Sequence, residues 1–461
     1  MTNFDAFVKT YDVRGLVDVE LSEEIVECFG AAFVDELSLF GQGLVVGHDM
    51  RDSSPRFARA FAAGANKRGG NVSMIGLCST DMTYFASGRH ELPAAMFTAS
   101  HNPASYNGIK FSRAGARGIS LDTGLAAIRD RAIAFLEAGI QEQDHPGSTH
   151  ELSVLDGYAD YLHELVDLSK IRKLKVVIDV ANGMGGLTVP AVLGRLDQLE
   201  IVPMYFELDG SFPNHEANPL DAKNLVDLQQ KVIAEGADLG LAFDGDADRC
   251  FAVDEKGEAV SPSAVAAIVS RREIARVSAI GEKNVTVLHN LLTSNYVREV
   301  IEAAGAKPVR TKVGHSLIKD QMAETGAVFG GEHSAHYYFR DFWGADNGML
   351  AAMHLISELG TSDKKMSEIA ASFTPYFASG EINSTVDDRE SALNRVRSTL
   401  SEAQEEQFDG VTFSHSEADF WWWCNIRPSN TEPLLRLNVE SSHEALMVEI
   451  RDKAIRAIRN G

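Results

Sequence analysis

Lys173-Leu-Lys-Val-Val-Ile-Asp179 is a short, β-branched run followed by a glycine-rich loop and then by a helical pattern. That order reads as a strand buried in a sheet and covered by helices, because a strand shielded on both faces loses the polar alternation of an exposed one. The same opening occurs upstream at Gly43-Leu-Val-Val-Gly47 and downstream at Asn284-Val-Thr-Val-Leu288. Three such openings predict three similar α/β domains with mixed, mainly parallel sheets. Helical periodicity lies between them: Leu125, Ile128, Ala132, Phe135 and Leu136 recur at three-to-four spacing, with Asp122 or Thr123 as the N-cap and Gly139 as the stop.

The boundaries are polar. Ile140-Gln-Glu-Gln-Asp-His-Pro-Gly-Ser-Thr149 reads as the first linker, and Asp254 to Pro262 turns before a new helix, with Ser261 as cap and Pro262 at its first position. A third break falls at Ala378-Ser-Gly380. At about 150 residues per domain, 461 residues hold three domains with room for a fourth. The expected division is 1–145, 146–256 and 257–373 as α/β domains and 374–461 as a smaller α+β domain.

A chain that is 44% hydrophobic and 24% charged can bury real cores, which excludes disorder as its main theme. The formal net charge of -23 argues against nucleic acid or an anionic membrane as partner, so a phosphate-bearing ligand needs a local basic pocket. Cys28, Cys78, Cys250 and Cys424 are far apart and form no metal or redox spacing, as in a reduced, cytoplasmic protein. The start lacks a basic segment followed by an apolar one, and charge or glycine interrupts every long apolar stretch; neither a signal peptide nor a membrane span is expected.

Four loops offer chemistry. Thr98-Ala-Ser-His-Asn-Pro103 follows the apolar Ala94-Ala-Met-Phe97 and precedes Asn107-Gly-Ile-Lys110, presenting the Ser100 hydroxyl beside His101 and Lys110; a capping serine is the plainer reading, and no GxSxG elbow supports a serine hydrolase. Asp244-Gly-Asp-Ala-Asp-Arg249 sits between Leu239-Gly-Leu-Ala-Phe243 and Cys250-Phe-Ala-Val253, and its alternate carboxylates can converge on a hard cation while Arg249 offers a fork for phosphate. Asp244, Asp246, Asp248 and Glu255 also match an EF-hand loop, but Arg249 stands where that loop needs glycine and the flanks read as strands. A solvated acidic turn is the plain alternative.

In Gly330-Gly-Glu-His-Ser-Ala-His336, the side chains of Glu332, Ser334 and His336 suit sugar hydroxyls, and His333 with His336 lacks the third ligand a metal would need. Arg427-Pro-Ser-Asn-Thr-Glu-Pro433, then Leu434-Leu-Arg436, crowds donors as a phosphate nest does, although a plain turn fits that segment equally well.

Taken together and in order, these loops resemble the α-D-phosphohexomutase family, in particular its bacterial phosphomannomutase/phosphoglucomutase branch. Tyr11-Asp-Val-Arg-Gly15 is similar to the family's YDIRG, and Gly47-His-Asp-Met-Arg-Asp-Ser-Ser54, Thr311-Lys-Val-Gly-His-Ser316 and Ala345-Asp-Asn-Gly348 fall where the family has related segments. The resemblance implies a heart-shaped molecule with one loop from each domain meeting in a central cleft. It implies Ser100 as a phosphoserine, with Mg²⁺ held by its phosphate and by Asp244, Asp246 and Asp248. It also implies Arg14, His101, Lys110, Arg249 and His336 as catalytic groups. Substrate contacts are implied for Tyr11, Arg249, Gly314, His315, Glu332, Ser334, His336, Arg427, Ser429, Asn430, Thr431 and Arg436.

The implied reaction interconverts mannose 6-phosphate and mannose 1-phosphate, or the glucose pair, through a hexose 1,6-bisphosphate that also serves as activator. The partner is then a small phosphosugar, and the chain a monomer or dimer. A metal-dependent sugar phosphatase and a calcium-binding protein are the readings of other classes. Three departures from the family stand out: Ala247 and Ala335 replace glycines, and His289-Asn-Leu-Leu-Thr293 lacks a family lysine. His333 stands where glucosamine mutases typically carry Gln.

Overall fold

In the computed structural model, which describes residues 3–428 and 434–459, four sheets follow one another along the chain. The first contains Gly43–His48 between Asn71–Leu77 and Ala94–Phe97 as parallel neighbours, and then the antiparallel strands Tyr106–Arg113 and Val13–Leu16. Thr149–Glu151 pairs parallel with Asn71–Leu77 and so joins this sheet from beyond residue 145.

The second sheet has Leu174–Asp179 at its centre, parallel to both Leu199–Met204 and Leu239–Phe243, with Cys250–Asp254 antiparallel beyond. The third repeats the plan: Thr286–Asn290 is parallel to Lys307–Thr311 and to Phe329–Gly331, and Tyr337–Phe339 returns antiparallel. The fourth sheet is wholly antiparallel and packs with the helices Arg389–Thr399 and Glu444–Arg459. Three mixed α/β units and a smaller α+β unit are therefore the architecture.

Local chemistry explains the elements. The 262–279 helix starts as expected, with the Ser261 hydroxyl accepting from Ser263 N and Pro262 in the first turn. The helix Leu125–Ala138 ends at Gly139 (φ +79) as expected, but its start differs. Asp122 and Thr123 form a preceding 3₁₀ turn, in which Ser120 and Thr123 cap each other, and Gly124 takes the N-cap position. The Ser120 and Thr123 hydroxyls thus satisfy the entry one turn earlier.

Burial divides the molecule unevenly. One hydrophobic cluster runs from one face of the first sheet through the second and third units, joining Phe85 to Tyr158, Phe342 and the edge of Trp343; the other face of the first sheet covers a core of its own around Phe29, Phe33, Phe61 and Phe111, and the C-terminal unit has a separate core around Phe413, Trp422, Leu437 and Ile450. The first three units are packed as one body, and the fourth is attached to it. Among the described residues no helix is long and apolar enough to cross a membrane.

Candidate active site

Ser100 follows the buried strand Ala94–Phe97 and takes a left-handed backbone (φ +49), a costly conformation for a non-glycine residue that marks a constrained loop. Its hydroxyl donates to Asp244 Oδ2 (3.0 Å) and lies 3.2 Å from His101 Nδ1. Asp244 comes from the turn joining the antiparallel strands Leu239–Phe243 and Cys250–Asp254. The two loops can approach because residue 245 is glycine: a Cβ there would lie 2.4 Å from the Ser100 carbonyl oxygen. Those strand flanks also remove the EF-hand reading, which needs helices on both sides.

Asp244, Asp246 and Asp248 are buried, and their ligand atoms lie within 4.8 Å of one another. Three carboxylates so placed repel unless cations answer them. Lys110 Nζ donates to Asp246 Oδ2 (2.7 Å) and Asp248 Oδ2 (2.6 Å), and Arg249 Nε to Asp244 Oδ2 (2.9 Å). Burial raises the Asp244 carboxyl to about 7, Arg249 opposing and Asp248 and Asp246 adding to the shift. Burial also acts to raise Asp246, yet the Lys110 ammonium and the Thr80 hydroxyl (2.5 Å) hold it far below the ordinary carboxylate range. Conversely, Lys110 is held well above its usual range by Asp246 and Asp248 despite its burial.

The turn fits a hard cation. Asp246 Oδ1 and Asp248 Oδ1 are buried without a hydrogen-bond partner among the described residues, leaving two anionic oxygens beside Asp244 for an oxygen-seeking ion.

Other expected residues border this centre. His336 Nε2 is 3.8 Å from Asp248 Oδ1, and its Nδ1 lies 3.1 Å from the Ser334 hydroxyl. Burial, then Arg249 and Arg14, keep His101 well below the usual imidazole range, so it is neutral at pH 7. Arg14 donates to Asn102 Oδ1 (2.8 Å) at the edge of the Ser100 loop. Glu332 is buried and accepts from Tyr338 (2.8 Å) and from Gly314 N (3.3 Å), tying the 330–336 loop to the 311–316 turn. At Gly314 (φ +143), a Cβ would sit 2.7 Å from the Tyr11 hydroxyl, so glycine is what lets the first and third units meet there. Arg427 and Arg436 face each other on the fourth sheet. Ser429, Asn430 and Thr431 lie outside the described residues, as does the side chain of His315.

This constellation belongs to a known design. Residues 6–134, 156–257 and 261–376 match the alpha/beta/alpha domains I, II and III of phosphoglucomutase/phosphomannomutase, and 381–457 match its C-terminal domain. The chain belongs to the phosphoglucomutase/phosphomannomutase family. It is 38% identical over 462 residues to a protein named phosphohexose mutases from Xanthomonas campestris pv. campestris, covering 98% of this chain and 99% of that one. It is 36% identical over 462 residues to the phosphomannomutase of Escherichia coli K12, covering 98% of each. A solved phosphoglucomutase/phosphomannomutase family protein from Burkholderia thailandensis superposes with a TM-score of 0.87 at 27% identity, over 100% of this chain and 98% of that one. The protein is a phosphohexomutase, an enzyme of the isomerase class.

Sequence reasoning missed one residue that organises this mutase site. Arg51, almost wholly buried, donates to the carbonyl oxygens of Ser100 (2.9 Å), Asn102 (2.6 Å), Pro103 (2.8 Å) and Tyr106 (3.0 Å). Asp49 pairs with it at 3.2 Å, and the Phe212 ring of the second unit lies 5.1 Å from its guanidinium carbon. The available signal was its place in Gly47 to Ser54, a segment noted for its resemblance but assigned no chemistry.

Proposed function

We propose that this phosphohexomutase interconverts mannose 6-phosphate and mannose 1-phosphate, with the glucose pair as second substrate, through a phosphoserine at Ser100 and a hexose 1,6-bisphosphate. The observation that carries the reading is the Ser100 hydroxyl bonded to Asp244 inside a cluster of three buried aspartates, with Lys110 and Arg249 beside it. The phosphomannomutase names of several relatives, at 33–36% identity, support mannose as the sugar.

Asp244, Asp246, Asp248 and the Ser100 phosphate would hold Mg²⁺, which when bound supplies charge neutralisation to the phosphoryl group. The sugar's free hydroxyl attacks phosphorus, the bond from phosphorus to Ser100 Oγ breaks, and the hydroxyl proton passes to a neighbouring base. Lys110, carrying a firmly held proton, and Arg249 offset the charge that moves between the oxygens. Arg14, which donates to Asn102 of the Ser100 loop, and His336, 3.8 Å from Asp248 Oδ1, are the groups for proton transfer in this mechanism, and neutral His101 orients Ser100. The bisphosphate then turns over and returns its other phosphoryl group to Ser100.

Tyr11, Gly314, His315, Glu332, Ser334 and His336 form the sugar side of the cleft in this reading. Arg427, Ser429, Asn430, Thr431 and Arg436 grip the phosphate that is not transferred. The working units are 1–145, 146–256, 257–373 and 374–461, with the strand Thr149–Glu151 lent to the first sheet, in a cytoplasmic monomer or dimer activated by glucose or mannose 1,6-bisphosphate.

The test is a coupled assay over mannose, glucose and glucosamine phosphates with bisphosphate activator, combined with mass spectrometry of the Ser100 peptide. Isomerisation of the mannose pair, phosphate on Ser100 and a nearly inactive Ser100→Ala variant are expected. Full activity of that variant, or release of inorganic phosphate in place of isomerisation, overturns the reading.

A further inference from the structure

Arg427 and Arg436 are direct cross-strand partners in the antiparallel pair Trp421–Pro428 and Leu434–Ser441. Two guanidinium groups opposite each other destabilise a sheet unless an anion lies between them. Glu381 supplies that anion: its carboxylate is 3.7 Å from Arg427 Nη2 and 3.3 Å from Arg436 Nη1. It reaches both because the chain leaves the break at Gly380 (φ +67) and enters Ile382–Thr385, which pairs with Leu434–Ser441 and sets Asn383 opposite Arg436.

The hold is incomplete. Among the described residues one negative charge answers these two positive ones, and of its two contacts only that with Arg436 is a hydrogen bond. Nε of each arginine is buried without a hydrogen-bond partner among the described residues. A phosphate dianion between the same two side chains matches both charges and brings further acceptor oxygens for the remaining donors. Carboxylate and phosphate cannot share that position, because like charges so close repel.

We propose that Glu381 is an internal competitor for the substrate's phosphate. It partly neutralises the arginine pair, is displaced when the phosphate arrives, and reclaims the pair when the phosphate leaves. The inference rests on the reading of Arg427 and Arg436 as the grip on the non-transferred phosphate. A bisphosphate that must turn over has to release this grip once per cycle, and a carboxylate ready to take its place favours that release. The pairs are partly exposed, so the competition is mild, a factor of up to about five in affinity.

The experiment measures the KM for mannose 1-phosphate and the competitive inhibition constant of inorganic phosphate in the wild type, Glu381→Gln and Glu381→Asp. Thermal melting confirms that each variant folds. Both constants are expected to fall about two- to fivefold in Glu381→Gln, where the charge is gone. Glu381→Asp should fall between the other two, because its shorter side chain withdraws the carboxylate but keeps it. Unchanged or raised constants in Glu381→Gln, or any other order of the three proteins, overturn the proposal. Arg427→Ala separates it from its premise. If that variant leaves KM unchanged, the phosphate grip itself fails; if it raises KM while Glu381→Gln lowers nothing, only the competitor fails.

Discussion

Lys110 Nζ lies 2.7 Å from Asp246 Oδ2, joining the first sheet to the turn of the second across 136 residues of chain. The same ammonium reaches Asp248 Oδ2 at 2.6 Å. One lysine on the strand Tyr106–Arg113 thereby answers two of the three carboxylates on which the metal-loop reading depends. Its charge holds the two loops together, and the proposed mechanism gives it a second role in the reaction.

Replacing this lysine should separate the two roles. Lys110→Met leaves two buried carboxylates without their cation, and breaking a buried pair costs about 3–5 kcal/mol. A divalent cation can answer the same carboxylates, so added Mg²⁺ should restore much of the lost thermal midpoint. It should not restore turnover, expected to stay at least about a hundredfold down, because the proposed mechanism loses the cation that offsets the charge on the transferring group. Recovery of turnover together with stability would show that Lys110 serves only the fold.

Arg51 acts on the same loop from behind. Four carbonyl oxygens of the 100–106 segment depend on its fork, and a lysine's single ammonium cannot reproduce that planar geometry. Arg51→Lys should therefore shift Ser100 without touching the sugar. Misplacement of a reacting group by about 1 Å can cost about a hundredfold in rate. The expected result in steady-state kinetics is a kcat reduced about ten- to a hundredfold with KM nearly unchanged. A raised KM with normal kcat would place Arg51 on the binding side instead.

Ala247 and Ala335 both occupy left-handed backbone, at φ +62 and +65, where the family's usual residue is glycine. An L-residue in that region costs about 1–2 kcal/mol, and glycine returns part of this through its greater freedom in the unfolded chain. Ala247→Gly and Ala335→Gly should each stabilise by about 0.5–1 kcal/mol, visible as a rise of about 1–2 °C in the melting of the three-unit body. A lower midpoint would mean that the methyl groups, both buried, contribute more packing than their backbone costs.

What the sequence made legible follows from what apolar patterning encodes. Ala94–Phe97 and Leu239–Phe243 are short runs buried on both faces, and each delivers its chemistry-bearing loop immediately after the strand or in the following turn. The expected strand from Asn284 begins instead at Thr286, because Asn284 (φ +57) is a turn residue. Arg427 and Pro428 suggested a turn by composition, yet they finish a strand because Leu434–Ser441 pairs with them. Arg51 stayed hidden for a different reason: its partners are backbone carbonyl oxygens, which carry no side-chain signature. The bond from Ser100 to Asp244 links residues 144 apart, and motif order alone implied their meeting.

His289 stands in the segment that lacks the family lysine, and its burial has a measurable consequence. It is 7% exposed, with Nδ1 2.9 Å from the Thr293 hydroxyl. Burial, helped by Arg310 and Arg298 against a backbone hydrogen bond at Asn290, lowers its pKa from 6.5 to about 4. The unfolded chain therefore takes up a proton near pH 6.5, while the folded protein resists until about pH 4. Stability from this group is complete above pH 6.5 and lost as the pH falls through 4, a total of about 3 kcal/mol. His289→Gln keeps a polar partner for Thr293 but cannot titrate. Between pH 7 and pH 5 the wild type should lose about 2 kcal/mol more than this variant in denaturant unfolding. Equal losses in the two proteins would mean that His289 is protonated as readily in the folded state as in the unfolded chain, and that its burial is not what sets the acid limit of the third unit.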